Sequence, residues 1–413
     1  MDDSLYFDSL ECRDPEQRER DVFNVLAAQI EHARARAPAF AASLTGISGS
    51  DIDDRDALAR LPVLRKSELV TLQRSTPPFG GLAVAPVADL RRVFASPGPI
   101  YEPEARRDNY WRMARALYAA GLRRGELVHN AFAYHLTPAG SIMESGAHAL
   151  GCPVIPAGVG QTEQQLDVIA QLKPSTYTGT PSFLKILLSM AHDRDTDISS
   201  LNKALVSGEA LPPSLRQHIE NAGVSVLQCY AMADLGLIAY ESPAREGLIL
   251  DEEIIVEIVQ PGTGDLVAQG EIGEVVVTTL NPDYPLIRFA TGDLSAVLPG
   301  ASPCGRTNMR ITGWMGRADQ TTKVRGMFVH PAQIAEVSKR HTEILRARLV
   351  VDQHNGQDRM ALRCECLTKP DGLEDAIVAT LRDVCNLRGE CELVESNSLP
   401  RDGIVIDDIR SYE

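Results

Sequence analysis

The sequence lacks the two features that would place a protein in a membrane or send it through one. No stretch of about 18 apolar residues occurs, so no membrane-spanning helix is expected. The first residues, Met1 to Asp8, are acidic and lack the basic start and apolar run of a signal peptide. We therefore expect a cytoplasmic protein without a membrane partner.

The sequence is also poor in the patterns of disulfide-rich, zinc-binding and nucleic-acid-binding proteins. Its eight cysteines are scattered over 413 residues, which indicates reduced thiols. Cys304 has no cysteine two residues before it, and Cys364 and Cys366 have no second pair at zinc spacing. A formal net charge of −15 argues against nucleic acid as a general partner, although a local basic pocket could still bind a small anion.

The sequence does contain a long alternation of helical and strand patterns. Val22, Leu26, Ile30 and Ala33 fall on one face of a helix predicted over residues 16–37. Strict alternation in the elements that follow predicts a parallel sheet wrapped by helices. The predicted helices cover 105–121, 139–150, 161–172, 182–192 and 212–222, and the predicted strands cover 126–133, 152–156, 176–179, 203–206 and 224–230.

The pattern changes after this region. From about residue 245 to 315 short strands alternate with turn signals such as Pro261-Gly-Thr-Gly264, which indicates a β-rich subdomain. The chain after Gly316 reads as a compact α+β unit of roughly 95 residues, within the usual range of domain sizes. The length of the whole chain suits two or three such subdomains rather than one core.

Three strings carry the most specific information. Asn281 to Asp293 reads NPDYPLIRFATGD, Cys304 to Arg306 reads CGR, and residues 316–326 read GRADQTTKVRG. Together they resemble the nucleotide-binding and hinge region of the phenylacetate–coenzyme A ligase family of adenylate-forming, AMP-binding enzymes. That family makes an acyl adenylate from a carboxylic acid and ATP and then an acyl thioester.

The resemblance implies an α/β protein with the adenylate-forming enzyme fold. A large N-terminal AMP-binding domain, residues 1–318, would contain an α/β part and the β-rich subdomain. A small mobile α+β C-terminal domain, residues 319–413, would follow. ATP, Mg²⁺ and coenzyme A would be used, with a small carboxylic acid, aryl in character, as the substrate and a homodimer as a possible assembly.

Several residues match the family's nucleotide-binding motifs. A carboxylate at a strand end can accept both hydroxyls of a ribose, and the resemblance makes Asp293 that ligand, although Thr-Gly-Asp alone would equally suit a surface turn. Tyr230-Ala231-Met-Ala-Asp234 resembles the motif whose aromatic ring lies on adenine and whose acid holds Mg²⁺, a role that the shorter Asp234 could still fill. The remaining matches are Ser207, Gly208 and Glu209 on the adenine side and Arg317 at the ribose or phosphates.

The resemblance also assigns residues to the acid pocket and to the hinge. Tyr134 and His135 fall where the family gates its acid pocket, with Thr180 and Met232 lining it; His135 could bind a carboxylate, pack on an aromatic ring or be an ordinary core histidine. Rotation of the C-terminal domain would occur about Asp319. The hinge and coenzyme A side would further include Lys323, Arg325 and Gly326, whose glycine permits close backbone approach.

Two motifs depart from the family pattern. The family's phosphate loop reads SSGTTGKP, and this chain reads Ser96-Pro-Gly-Pro-Ile-Tyr-Glu102-Pro in its place. The two prolines at 97 and 99 have no N–H for a phosphate. Glu102 replaces the lysine, and a carboxylate about 4 Å from a phosphate costs on the order of 4 kcal/mol at an effective dielectric constant of ~20.

The second departure lies near the C-terminus. Relatives carry PRxxGK, whose lysine bridges the acid and the α-phosphate during adenylation, whereas this chain has isoleucine at the matching position, Ile404. Loss of such a cation removes about 3 kcal/mol of transition-state stabilisation. Natural loss and an engineered lysine-to-isoleucine change would look the same.

Three functions are consistent with these observations. The first is an ATP-dependent acid–coenzyme A ligase, impaired in adenylation by Ile404 and the altered loop. The second is an adenylating enzyme with another acceptor, such as an amine or a carrier protein. The third, favoured by the two departures, is a non-catalytic protein that binds acyl nucleotides.

Overall fold

The computed structural model describes residues 5–318, 320, 322–325, 327–354, 357–366 and 368–410. Within these residues the α-helices are α1 Pro15–Arg36, α2 Pro38–Ser43, α3 Arg55–Ala59, α4 Lys66–Ser75, α5 Ala114–Ala119, α6 Ala139–Ala149, α7 Thr162–Leu172, α8 Pro181–Asp193, α9 Pro213–Asn221, α10 Pro331–Arg340 and α11 Leu373–Cys385. None of the described helices is long and apolar enough to cross a membrane.

The strands of the described residues begin near residue 64 and continue almost to the end of the chain. They are β1 Leu64–Arg65, β2 Leu90–Ser96, β3 Ile100–Ala105, β4 Val128–Asn130, β5 Val154–Pro156, β6 Thr176–Gly179, β7 Lys203–Val206, β8 Ser225–Met232, β9 Gly236–Glu241, β10 Leu248–Leu250, β11 Ile254–Val259, β12 Gly273–Thr279, β13 Phe289–Ser295, β14 Val297–Leu298, β15 Arg310–Ile311, β16 Thr322–Val324, β17 Met327–Val329, β18 Ile344–His354, β19 Gln357–Cys366, β20 Glu390–Val394 and β21 Ile406–Asp408.

A nine-stranded sheet with the order β14-β15-β10-β9-β8-β7-β6-β4-β5 is formed by strands between residues 128 and 311. Its strands β5, β4, β6, β7 and β8 are parallel, as the alternating pattern predicts, and β9 then joins β8 antiparallel. In parallel sheets of this kind ligands bind outside the carboxyl ends of the strands. The predicted α/β architecture is confirmed, and the topology brings the loops after β4, β6, β7 and β8 to one edge.

Apolar side chains packed between these strands and their helices explain why the alternation folds this way. Leu166 and Ile169 of α7, and Leu184 and Leu187 of α8, pack with Tyr177 of β6 in one buried cluster. Each helix therefore covers the sheet with the face that its 3.6-residue period makes apolar. The same argument holds at the start of the chain, where the predicted face of α1 is buried.

The chain divides into two compact units. The first comprises residues 1–256, 277–289 and 298–314, and the second comprises residues 257–276, 290–297 and 315–413. Within the second unit, α10 and α11 pack on a sheet with the order β20-β19-β18-β21. A boundary at 318/319 between independently moving domains stays a prediction.

One predicted helix is largely wrong. Residues 105–121 contain the last residue of β3, an irregular segment and only the short helix α5. Asn109 and Arg112 adopt left-handed backbone conformations with φ of 50° and 62°, which a helix does not tolerate. The Nε atom of Arg112 lies 2.9 Å from Oδ1 of Asp251, so a contact distant in sequence outweighs the local helical pattern.

The strand predicted over 126–133 is also shorter in the structure, where β4 covers only Val128–Asn130. The side chain of Asn130 is wholly buried and donates to the carbonyl oxygen of Gly140 at 2.8 Å. Its own carboxamide oxygen accepts from the amide of Phe132 at 3.2 Å. These local bonds turn the chain away from the sheet after residue 130.

Candidate active site

Most of the residues predicted to contact nucleotide or acid lie in the loops at the carboxyl edge of the parallel sheet. Tyr134 follows β4, Thr180 follows β6, and Ser207 follows β7. Tyr230 lies near the end of β8, and Asp234 follows that strand. The topology therefore brings residues between Tyr134 and Asp234 to one edge of the sheet.

The loop after β7 is short and open to solvent. The hydroxyl of Ser207 donates to the carbonyl oxygen of Cys229 on the neighbouring strand at 2.8 Å, which holds the two strand ends together. Gly208 has a φ of 81°, the left-handed conformation that glycine adopts without strain. Glu209 is exposed, and its carboxylate accepts from the amide of Ser182 at 3.4 Å.

The turn between β8 and β9 carries the predicted adenine and magnesium residues. The side chains of Tyr230, Ala231 and Met232 are half-buried, and the Tyr230 hydroxyl lies 3.8 Å from the thioether sulfur of Met232. Gly236 closes the turn with a φ of 72°, and a Cβ atom there would lie 2.7 Å from the carbonyl oxygen of Trp111. Close packing thus requires glycine at this point. We call Ser207–Glu209 and Tyr230–Asp234 the adenosine-side loops.

Asp234 is buried and is paired with a lysine that the sequence reasoning missed. Nζ of Lys66 lies 2.5 Å from Oδ2 of Asp234. The other oxygen, Oδ1, is buried and has no hydrogen-bond partner among the described residues. No local pattern pointed to Lys66, because its partner Asp234 lies 168 positions away in the sequence.

The altered phosphate loop forms a hairpin, with β2 and β3 antiparallel and Ser96 opposite Ile100. Glu102 is wholly buried and accepts a hydrogen bond from the hydroxyl of Ser96. Burial, together with the charge of Asp234, raises the pKa of Glu102 to about 7 against the opposing effects of Ser96 and Lys66. The residue that replaces the family's lysine is therefore an inward-facing carboxyl group.

The tip of this hairpin is held from outside by α4. The carboxamide of Gln73 donates to the carbonyl oxygen of Tyr101 at 2.8 Å and accepts from the amide of Tyr101 at 2.8 Å. These two bonds fix the backbone of the hairpin at Tyr101. We call residues 96–102 the phosphate-side hairpin.

Tyr284, from the string Asn281 to Asp293, is buried near Glu102 and Asp234. Tyr284 is 2% exposed, and its ring packs edge-on against Phe79 at a centroid distance of 6.3 Å. Burial, with the charges of Asp234 and Glu102, raises the pKa of Tyr284 well above its usual value. The phenol therefore stays neutral beside the two carboxyl groups.

The predicted acid-pocket residues differ in exposure. The hydroxyl of Tyr134 accepts from the carboxamide of Asn130 at 2.7 Å, and burial raises the pKa of the phenol. A Cβ atom at Gly140 would lie 2.8 Å from the Tyr134 ring, so glycine permits this packing. His135 is exposed, which excludes the alternative of a core histidine. Thr180 accepts from the amide of Phe183 and caps α8.

The second unit brings Asp293 and Arg317 together. Asp293 lies on β13 and is 7% exposed, and its Oδ1 atom accepts from a guanidinium nitrogen of Arg317 at 2.9 Å. A Cβ atom at Gly292 would lie 2.9 Å from the same guanidinium, so the arginine lies directly over this glycine. The predicted ribose carboxylate and its neighbouring cation thus form an ion pair, with Arg317 about half-exposed.

The predicted hinge is described only in part. Asp319 and Gly326 lie outside the described residues, and the Lys323 side chain is likewise outside them. Arg325 is exposed with a φ of 47°, and its backbone amide donates to the carboxylate of Asp358 at 2.9 Å. Its guanidinium donates to backbone carbonyls of Asp358 and Arg388, so Arg325 is engaged within the second unit.

Ile404, at the position of the family's lysine, is 36% exposed in the loop before β21. Its amide donates to the carboxylate of Asp402 at 3.0 Å. The eight cysteines are all free thiols, and no group of three or more His, Cys, Asp or Glu side chains in the described residues could hold a metal ion.

Comparison with known proteins gives the family of the chain. Residues 139–281 match the family model described as AMP-binding enzyme. The chain is 31% identical to phenylacetate–coenzyme A ligase of Thermus thermophilus over 338 residues, 78% of this chain and 74% of that protein. It is 30% identical to phenylacetate–coenzyme A ligase of Aromatoleum evansii over 81% of this chain and 79% of that one.

A solved structure extends the likeness to the whole chain. The 2-hydroxyisobutyryl-CoA ligase in complex with 2-HIB-AMP and CoA, in the thioesterification state, matches with a TM-score of 0.72 and 25% identity over 100% of this chain and 94% of that one. Its postadenylation state with 2-HIB-AMP matches with a TM-score of 0.73 over 99% and 93% of the two chains. The predicted fold is thereby confirmed, and this chain belongs to the phenylacetate–coenzyme A ligase family of AMP-binding enzymes.

Proposed function

We propose that the chain is an AMP-forming ligase that joins a small carboxylic acid to coenzyme A through an acyl adenylate, and that its adenylation step is slow. The observation that carries this proposal is the convergence of the adenosine-side loops with Thr180 and Tyr134 at one edge of the parallel sheet. Family membership supplies the reaction class. The position of Glu102 and the identity of Ile404 supply the reason for slow adenylation.

The adenosine-side loops supply groups that suit an adenosine. The half-buried ring of Tyr230 offers a face for stacking, and the exposed Gly208 and Glu209 offer backbone groups and a carboxylate to the base. In the second unit, Asp293 is an acceptor for the ribose hydroxyls and Arg317 is a donor for ribose or phosphate oxygens. These roles are proposals that follow from the family motifs.

Asp234 fits a magnesium ion through one oxygen. Its Oδ1 atom is buried without a partner among the described residues, whereas Oδ2 is paired with Lys66. Carboxylate oxygen is the donor that Mg²⁺ prefers, and the ion usually keeps several waters and takes its other ligands from phosphates. Bound magnesium would neutralise phosphate charge, and Lys66 adds a second cation at the same place.

The aryl nature of the acid is proposed on a separate ground. Tyr134 presents a neutral ring beside the exposed His135, and Met232 adds a polarizable side chain near Tyr230. Aromatic and thioether groups favour a planar apolar substrate. The free thiols agree with a cytoplasmic location, which we likewise propose.

A second function is favoured by one specific observation. The buried Glu102 offers a phosphate neither a cation nor an exposed donor, which suits a protein that binds acyl nucleotides without making them. An acceptor other than coenzyme A also stays open.

Two assays separate these functions. Pyrophosphate exchange over a panel of aryl and short acids, run with this chain and with Ile404→Lys, identifies the acid. Coenzyme A, amines and carrier proteins are then offered to the matching preformed acyl adenylate. Thioester formation with coenzyme A supports the ligase, whereas tight binding of acyl adenylate without turnover of any acceptor would replace it with the binding protein.

A further inference from the structure

We propose that Gln320 is a positioning residue that ties the hinge segment to the loop carrying position 404. This inference rests on the proposed function, because it concerns how residue 404 reaches the reacting groups. The contacts that support it all lie within the second unit.

One carboxamide satisfies three backbone groups around residue 404. Nε2 of Gln320 donates to the carbonyl oxygen of Gly403 at 2.9 Å. Oε1 of Gln320 accepts from the amide of Ile406 at 2.8 Å and also from the amide of Val405. A single side chain therefore fixes the backbone immediately before and immediately after residue 404.

The same loop is held from its other side by an arginine. Arg348 on β18 is buried, and its guanidinium bonds the carboxylate of Asp402. Asp402 in turn accepts from the amide of Ile404 at 3.0 Å. Arg348 therefore anchors the loop to the C-terminal sheet, whereas Gln320 anchors it to the segment that follows position 319.

A third set of contacts is more exposed. Arg401 pairs with Glu271, and a guanidinium nitrogen of Arg346 lies 3.7 Å from the same carboxylate. The side chain of Arg401 is 56% exposed, so water and salt weaken this pair. The part-buried and directional bonds of Gln320 define the position of the loop more closely than this pair does.

We call the bonds of Gln320 to Gly403, Val405 and Ile406 the clamp. The clamp matters because of where Gln320 lies in the sequence. Gln320 is the next residue after Asp319, the predicted hinge. A change of backbone dihedrals at 319 turns Gln320 with everything that is bonded to it, so the loop and residue 404 move with the hinge segment as one piece. A cation at 404 would then be delivered in a fixed position and not on a loosely held loop.

Hydrogen exchange tests the clamp directly. Gln320→Ala should speed exchange of the Val405 and Ile406 amides by about tenfold, because each loses its acceptor. Gln333→Ala is the matched control: Gln333 also uses its carboxamide twice, with His330 and Val384, in the same unit but away from this loop. Gln320→Glu keeps the acceptor and should restore protection. Unchanged exchange in Gln320→Ala would overturn the proposal.

The two half-reactions test the positioning role, in the Ile404→Lys background. Gln320→Ala should lower ATP-dependent adenylation several-fold and leave thioester formation from supplied acyl adenylate unchanged, with partial rescue by Gln320→Glu. A merely structural residue would lower both rates together, and that result, or no change in either, would overturn the positioning role. If Ile404→Lys gains no adenylation at all, the proposed cause of slow adenylation fails, while the exchange measurement still decides the clamp.

Discussion

The adenosine-side loops and the phosphate-side hairpin lie in the same unit and differ in how they present polar groups. In the adenosine-side loops, Gly208 and Glu209 are exposed and the ring of Tyr230 is half-buried, so these groups are accessible to a ligand. In the hairpin, Glu102 is wholly buried and bonded to Ser96. The first region therefore has exposed groups beside the buried Ser207 and Asp234, whereas the carboxyl group of the hairpin is wholly buried.

Under the proposed function, the groups offered to the base lie at exposed strand ends, whereas the hairpin offers the phosphates no cation. The adenosine-side loops depend on strand ends that the sheet fixes, and Ser207 bonds the neighbouring strand there. The hairpin is a separate two-stranded sheet outside the nine-stranded one.

Ile404→Lys should raise the rate of adenylation by about a hundredfold or more. A cation that contacts the transition state is worth roughly 3 kcal/mol, and the present side chain supplies no charge. Pyrophosphate exchange with the matching acid measures the effect. Ile409→Lys, which adds the same charge at a residue that is 59% exposed in the same unit, is the control and should change nothing. A gain of less than about threefold would shift the defect to the phosphate-side hairpin.

Glu102→Gln should stabilise the protein above neutral pH. The pKa of Glu102 in the folded protein is about 7 against an ordinary 4.5, so the folded state binds more protons than the unfolded state between these values. The free energy of unfolding should therefore fall as pH rises from about 4.5 to about 7, by at most about 3 kcal/mol, and Glu102→Gln should remove that loss.

Urea unfolding in EDTA across this pH range measures the effect. Glu104→Gln is the matched comparison, since Glu104 is also buried on β3 but pairs with Arg92 at 3.0 Å and should destabilise when neutralised. Equal pH dependence in the Glu102→Gln variant and the parent chain would contradict the buried, proton-binding Glu102.

Asp234→Asn should remove the magnesium stimulation of adenylation, about tenfold, and leave AMP affinity within a few-fold. Magnesium acts on the phosphates, and a neutral carboxamide is a poorer ligand than a carboxylate. The measurement is pyrophosphate exchange against magnesium concentration in the Ile404→Lys background. Asp193→Asn, an exposed acid at the end of α8, is the control. Full stimulation in Asp234→Asn would remove Asp234 from the metal site.

AMP and ATP should bind with affinities within a few-fold of each other. Under the proposed function the adenosine-side loops bind the part that both nucleotides share, and the hairpin, with its buried Glu102, adds little for the terminal phosphates. Calorimetry with each nucleotide checks this. Much tighter binding of ATP, weakened by Glu102→Ala, would show that the hairpin still recognises a triphosphate.

The sequence predicts the repetitive part of the fold well, because local periodicity decides it. Thr176–Gly179 and Lys203–Val206 form strands with the predicted bounds, and α6 differs from its prediction by one residue. The segment 105–121 could not be predicted from periodicity, since the ion pair between Arg112 and Asp251 joins residues far apart in sequence.

In the candidate site, too, local patterns could be predicted and contacts between distant residues could not. Motif residues such as Tyr230 and Ser207 are recognisable because neighbouring residues are part of the pattern. Lys66 and Gln320 were not recognised, because each acts through a partner far away in sequence, Asp234 in one case and the loop around Gly403 in the other. Only the folded chain brings such groups together.

The proposed function requires that the second half-reaction is intact while the first is slow. Thioester formation by this one chain, started either from acid, ATP and coenzyme A or from supplied acyl adenylate and coenzyme A, tests it most directly. We expect thioester to form from the supplied adenylate about a hundredfold or more faster than from ATP. This ratio corresponds to the roughly 3 kcal/mol of transition-state stabilisation that a cation at position 404 would supply. Equal rates from the two starting points, or no thioester from the adenylate, would contradict the claim.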